Sequence, residues 1–134
     1  MKKIILTVSL GCLMCACTSL TRQEEIQLQH LKAQGVTVDK PVGNYEKPAS
    51  VAGAAALNLL PGFGNFYLGS GNASETIHWL YGFLNLLLWP ISVVWAIPEA
   101  GIDANTINQR EMLYYYNYDK YGKRELEEAG IKLD

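Results

Sequence analysis

Apolar and polar positions divide the chain into a polar head, an apolar middle and a polar tail. From Pro48 to Pro98, 51 residues, the single formal charge is Glu75. Upstream, TRQEEIQLQHLKAQG sets Thr21 and Glu24 at capping-box spacing and ends at Gly35, which predicts a helix over about 22–34. Its apolar side is thin, Ile26, Leu28 and Leu31, as suits a helix lying on a surface. VTVDKPVGNYEKPAS follows with two prolines, a glycine and no period, and reads as an extended linker that spaces the middle from the N-terminal region.

The middle has two parts. In SVAGAAALNLLPGFGNFYLGSG, a helix over about 51–60 should end or kink at Pro61-Gly62 and give way to a loose turn through GFGNFYLG. In ASETIHWLYGFLNLLLWPISVVWAIPEAG, Asn72 or Ser74 is placed to cap a helix, and Glu75 falls in the first turn, where the helix dipole favours an acid. From Thr76 to Pro98 run 23 uncharged residues, close to the roughly 20 that cross a hydrocarbon core. Pro90 predicts a kink and Pro98 an end. Trp79, Tyr81, Trp89 and Trp95 are scattered and form no pair of interfacial belts.

A helix apolar all round must be buried in something, and small residues permit close helix packing. A hairpin embedded in the membrane, re-entrant forms included, is therefore preferred to the core of a small soluble bundle. Pro61 and the absence of Lys or Arg from SGNASE weigh on the other side.

In the tail, helical spacing brings Asp103, Ile107 and Arg110 or Glu111 to neighbouring turns. That suggests an Asp103–Arg110 contact or a cap at Asp103. Asp103, Asn105, Asn108 and Arg110 could line a polar site beside a membrane, although a capped helix with a solvated polar face is the plainer reading. YYYNYDKY is the most distinctive stretch. Consecutive tyrosines cover more than half a helix circumference, so Tyr114, Tyr115, Tyr116, Tyr118 and Tyr121 cannot all share one core. An apolar ring with a polar tip suits a membrane interface or a partner surface, which singles out Tyr114, Tyr115 and Tyr118; packing against the hairpin is the alternative. KRELEEAGIKL reads as a short exposed helix ended by Gly130.

All three cysteines lie within six residues, too close to close a disulfide framework. Before them stand Lys2 and Lys3 and the uncharged run IILTVSLGCLMCA, a signal-peptide pattern too short to span a bilayer. LMCAC resembles the lipobox of bacterial lipoprotein precursors. On that resemblance Cys17 is the lipidation site, preceded by small Ala16 and apolar Leu13 and Met14; Cys12 has too short a run before it and Cys15 follows a bulky Met14. The resemblance implies a protein held in the cell envelope by acyl chains on Cys17 and facing the periplasm. Thr18, in a place where aspartate is associated with inner-membrane retention, points to the outer membrane, whereas the long apolar stretch pulls toward the inner; the balance tips outward.

PGFGNFYLGSGN, an apolar helix and then Asp103 in AIPEAGIDANTIN resemble the TM2 domain, a helical hairpin with a glycine-rich turn, a Phe-Tyr-x-Gly core and a terminal Asp. Phe66, Tyr67 and Gly69 match its central pattern and Asp103 its acid, while Asn65 stands where a basic residue or histidine is common. The family brings no settled activity with it.

Charge and chemistry narrow the rest. Without Lys2 and Lys3, nine basic residues face thirteen acidic ones, a balance that offers nucleic acid no basic surface. His30 and His78 are 48 residues apart with no acid arranged near either, a contact of His78 with Glu75 is local, and GFGNFYLG lacks the lysine of a phosphate loop. No enzyme activity, cofactor or metal is expected. The chain thus reads as all-α: a signal peptide over 1–16, a lipidated terminus with short helix and linker over 17–50, an apolar helical hairpin over 51–101 and Tyr-rich helices over 102–134. Its expected work is interaction with membrane or an envelope partner; the alternative is a lipid-tethered soluble module that binds a hydrophobic ligand or periplasmic protein.

Overall fold

A computed structural model describes residues 18–71 and 76–133. The described residues are helical without strands: α1 (Arg22–Ala33), α2 (Val51–Leu57), α3 (Phe63–Ser70), α4 (Ile77–Leu87), α5 (Val93–Tyr118) and α6 (Lys120–Glu128). Cys17, the signal region and the proposed caps Asn72 and Ser74 with Glu75 lie outside the described residues.

α5 is the rod on which the others assemble. Its first half carries α2 and α3, with α4 laid against α3, and its second half carries α1 and α6. α1 starts at the capping box the sequence predicts, Thr21 accepting from the Glu24 amide and Glu24 reaching back to the Thr21 amide at 2.6 Å. Leu28 and Leu31 are buried against Met112, Leu113, Tyr116 and Leu126, while Ile26 stays exposed.

The segment expected to be a spacing linker is part of this core. Val36, Val38 and Tyr45 are buried in it. Its backbone is tied to α5 by side chains, because an irregular segment cannot satisfy its own polar groups. The Tyr116 hydroxyl accepts from the Val42 amide at 2.8 Å and donates to the Val42 carbonyl at 2.9 Å. Asn108 brackets Ala49, accepting from its amide at 2.9 Å and donating to its carbonyl at 2.8 Å.

The apolar middle departs from expectation in four places. α2 ends at Leu57, with Asn58 as its C-cap and the Asn58 side chain buried in the bundle. Pro61-Gly62 makes a tight turn, and Gly62 at φ +81° faces the Gly82 carbonyl where a Cβ would clash, so GFGNFYLG restarts as helix α3. The 23-residue stretch is not one helix: α4 stops at Leu87, a turn containing the cis Trp89–Pro90 bond intervenes, and α5 begins at Val93. Pro98 lies inside α5 and does not end it. In the second turn its ring forfeits one helical hydrogen bond, and the buried flanks Ala96, Glu99 and Ala100 hold the helix on its course. Asp103 is therefore mid-helix and caps nothing, and α5 runs straight through 101–102.

Leu31→Ala and Met112→Ala, each emptying a fully buried site, should lower unfolding stability by about 2–5 kcal/mol in detergent-solubilised protein. Ile26→Ala on the exposed side of α1 should change it by less than about 0.5 kcal/mol.

Candidate functional site: a polar interior beneath an apolar exterior

Amphipathic helices of globular proteins turn apolar side chains inward. The bundle of α2, α3, α4 and the first half of α5 does the reverse. α4 buries His78, Tyr81 and Asn85 and exposes Ile77, Leu80, Phe83 and Leu87, the last 79 % accessible. Asn58 and Asn65 are fully buried while Leu59, Leu60 and Phe63 are exposed. The α4–α5 turn buries Ser92 and exposes Trp89 and Ile91, and the first turn of α5 exposes Val94, 80 % accessible. The apolar interior left to this half is mostly small: Ala49, Ala54, Ala100 and Ala104 with Leu68 and Ile107.

The buried amides form a connected ladder that offsets most of the cost of burying them, with Asn65 Nδ2 left without a partner among the described residues. Asn65 Oδ1 accepts from Asn58 Nδ2 at 2.9 Å and from Asn85 Nδ2 at 3.0 Å. Asn58 also donates to the Ala96 carbonyl at 2.7 Å and accepts from the Gly64 amide at 2.7 Å. Asn85 Oδ1 accepts from Trp95 Nε1 at 3.1 Å, and Ser92 donates to the Asn85 carbonyl at 2.7 Å. Three asparagines thereby join α2, α3, α4 and α5.

A second buried group contains charge. His78 on α4 and Asp103 on α5, both with wholly inaccessible side chains, are 3.8 Å apart from Nδ1 to Oδ2. The Thr18 amide donates to Asp103 Oδ1 at 2.9 Å, and Thr18 Oγ1 lies 3.3 Å from His78 Nε2. One turn before Asp103, burial and then the nearby Asp103 carboxylate push the Glu99 carboxyl up to about 7.

The residues singled out from the sequence separate into four places, the tyrosines of α5 aside. Phe66 and Gly69 join α3 to α4: the Phe66 ring packs 5.3 Å from Trp79 and 5.2 Å from Phe83, and the Gly69 carbonyl accepts from Trp79 Nε1 at 3.2 Å. The Tyr67 hydroxyl accepts from the Ser50 amide at 3.0 Å, at the start of α2. Asp103 belongs to the buried group. Arg110 donates to the Ser19 carbonyl at 2.8 Å and sits 3.4 Å from Glu24. Partial burial pushes the Glu24 carboxyl up, but hydrogen bonds with Thr21 and the Arg110 guanidinium outweigh it and hold the group below its ordinary value.

The tyrosines divide by face. Tyr114 and Tyr118 stack at 5.1 Å on the exposed side of α5. Tyr115 turns instead to the core and donates to Glu125 at 2.8 Å, so it does not share their surface. Burial, followed by the Glu125 hydrogen bond, raises the Tyr115 phenol to about 12.

Asn58, Asn85, Ser92 and Glu99 did not stand out in the sequence, and Thr18, Asn65 and His78 were noted there for other reasons than a shared buried network. The signal for Asn58, Asn65, His78, Asn85 and Ser92 was that they are among the few polar side chains of a nearly apolar segment. Among the described residues no group of three His, Cys, Asp or Glu side chains is arranged to hold a metal. Comparison with protein-family models, with curated proteins and with solved structures found no match to this chain.

Glu99 gives this half a pH dependence of defined sign. A carboxyl at 4.5 when unfolded and about 7 when folded loses stability as pH rises through that window, because its charged form is the one the fold disfavours. Denaturation of Glu99→Gln and the parent at pH 4 and pH 8 should show the variant losing less stability over that range by about 3 kcal/mol.

Proposed function

We propose that this is a lipid-anchored cell-envelope protein whose inverted bundle sits in a single leaflet of the bilayer, acting through membrane or protein interaction and not through catalysis. The observation that carries the reading is the reversed polarity: hydrogen-bonding side chains inside, large apolar side chains outside. In water that arrangement exposes many large apolar side chains on one half of the molecule, whereas hydrocarbon makes the same exterior favourable and rewards the internal pairing that the amide ladder provides.

Depth supports one leaflet. No helix among the described residues is long and apolar enough to cross a membrane. The 11 residues of α4 extend roughly 16 Å against a hydrocarbon core of about 30 Å. α5 is longer, but its second half packs in the apolar core under α1 and α6 and carries Arg110 and Glu111. The polar half, with α1, residues 36–50 and α6, then stands over the bilayer, and the exposed Tyr114 and Tyr118 offer a surface to an envelope partner. Acyl chains on Cys17 supply the second anchor, which together with an inserted protein surface makes attachment durable.

The test replaces residues 1–17 with a signal cleaved by ordinary signal peptidase, so that no lipid is attached, and subjects membranes to alkaline extraction. The unlipidated chain should stay in the pellet, and Leu80→Glu with Phe83→Glu should release it, each substitution lowering partitioning into vesicles by at least about tenfold. Recovery of the unsubstituted chain as a folded soluble protein would assign the apolar exterior to a periplasmic protein partner or hydrophobic ligand and leave Cys17 as the only anchor.

A further inference from the structure

We infer that His78 and Asp103 form a seat for the chain that follows the lipid attachment point, so that it is clasped against the inverted bundle from Thr18 onward. The inference rests on the lipidation reading above and adds to it how the first residues after the attachment point meet the protein.

Two consecutive residues make three contacts with distant side chains. The Thr18 amide bonds Asp103 Oδ1 across 85 positions, Thr18 Oγ1 meets His78 Nε2 across 60, and the Ser19 carbonyl accepts from Arg110 Nη2 across 91. A surface strand held by chance does not reach wholly buried groups, and here both His78 and Asp103 have no accessible side-chain area. A buried carboxylate is costly unless hydrogen-bond donors surround it, and a peptide N–H donating to it is a charge-assisted bond of the stronger kind. The chain after Cys17 thus supplies part of the pairing that makes Asp103 tolerable inside the bundle.

Covalent geometry carries this to the lipid. The Thr18 nitrogen is bonded to the Cys17 carbonyl carbon, so the residue clasped on both its amide and its side chain is the one joined directly to the attachment point. Flanking the seat in sequence, Ile77 and Trp79 on α4 and Ile102 on α5 are exposed. Lipid and protein anchors act as one unit, with the second insertion made intramolecular by the first. The clasp also sets the polar half's orientation, because Arg110 links Ser19 and Glu24 of α1 to the same rod.

The experiment measures amide hydrogen exchange by NMR on the mature lipoprotein in phosphatidylethanolamine–phosphatidylglycerol nanodiscs, with the intact mass of the N-terminal peptide read on the same sample. The Thr18 amide should exchange at least about tenfold more slowly than an unstructured amide of the same sequence. In Asp103→Ala it should return to the unstructured rate while Met112 in the apolar core keeps its protection. A lipidated parent whose Thr18 amide exchanges at the unstructured rate overturns the seat alone and leaves lipidation standing. Protection surviving in a folded Asp103→Ala overturns Asp103 as its partner. An unmodified Cys17 overturns the inference together with the lipidation reading. If Asp103→Ala does not fold, the parent measurement decides by itself.

Discussion

The side-chain oxygen of Asn65 accepts two side-chain amide hydrogens, one from Asn58 and one from Asn85, and much of the bundle follows from that meeting. Three helices too short to be stable alone are brought to one point. Their polar side chains must then face each other, which leaves their apolar side chains facing out. Glycines make the approach close enough: a Cβ at Gly64 would strike the Ala54 carbonyl and the Asn58 side chain, and one at Gly82 would strike the Phe66 ring. The glycine-rich signature of this segment is thus a condition for packing α2, α3 and α4 around buried amides.

α5 joins two kinds of interior. Toward its start it meets alanines and hydrogen-bonded polar groups, and toward its end it meets Leu28, Leu31, Val36 and Leu126 in an ordinary apolar core. The change comes within about two turns, between Asp103 and Met112. Asn108 lies between them and serves the last residues of the 36–50 segment from within the helix, while the Tyr45 hydroxyl donates to its carbonyl at 2.7 Å. One continuous helix therefore couples a half with a polar interior and apolar exterior to a half with an ordinary apolar core. On the proposed reading, the bilayer surface crosses α5 in this region.

Burying His78, Asp103 and Glu99 stabilises nothing by itself; a well-packed apolar set of the same volume is often at least as stable. What such groups contribute is definition. Their pairing geometry admits few arrangements of α4 on α5, and it reaches Thr18, which an apolar substitute could not hold through a backbone amide. In the proposed orientation, that definition positions the N-terminal anchor and the polar half together.

The all-helical class, the capping box of α1 and the apolar character of 48–98 were legible in the sequence, because each depends on local spacing or on composition. The capping pair is three residues apart, and the lack of charge between Pro48 and Pro98 is visible without any fold. The burial of residues 36–50, the division of 76–98 into two helices and the placing of Pro98 inside α5 were not legible. Val36, Val38 and Tyr45 lack any period, and only long-range partners such as Tyr116 and Asn108 give that segment its shape. Hydropathy likewise could not say which way α4 faces, since a nearly all-apolar helix has no obvious inside. Tertiary structure decided it, because Asn85 could pair only where Asn65 and Trp95 wait, and His78 only where Asp103 and Thr18 converge. Local chemistry determined which segments are helical and apolar; long-range hydrogen bonding determined that the polar residues among them lie inside.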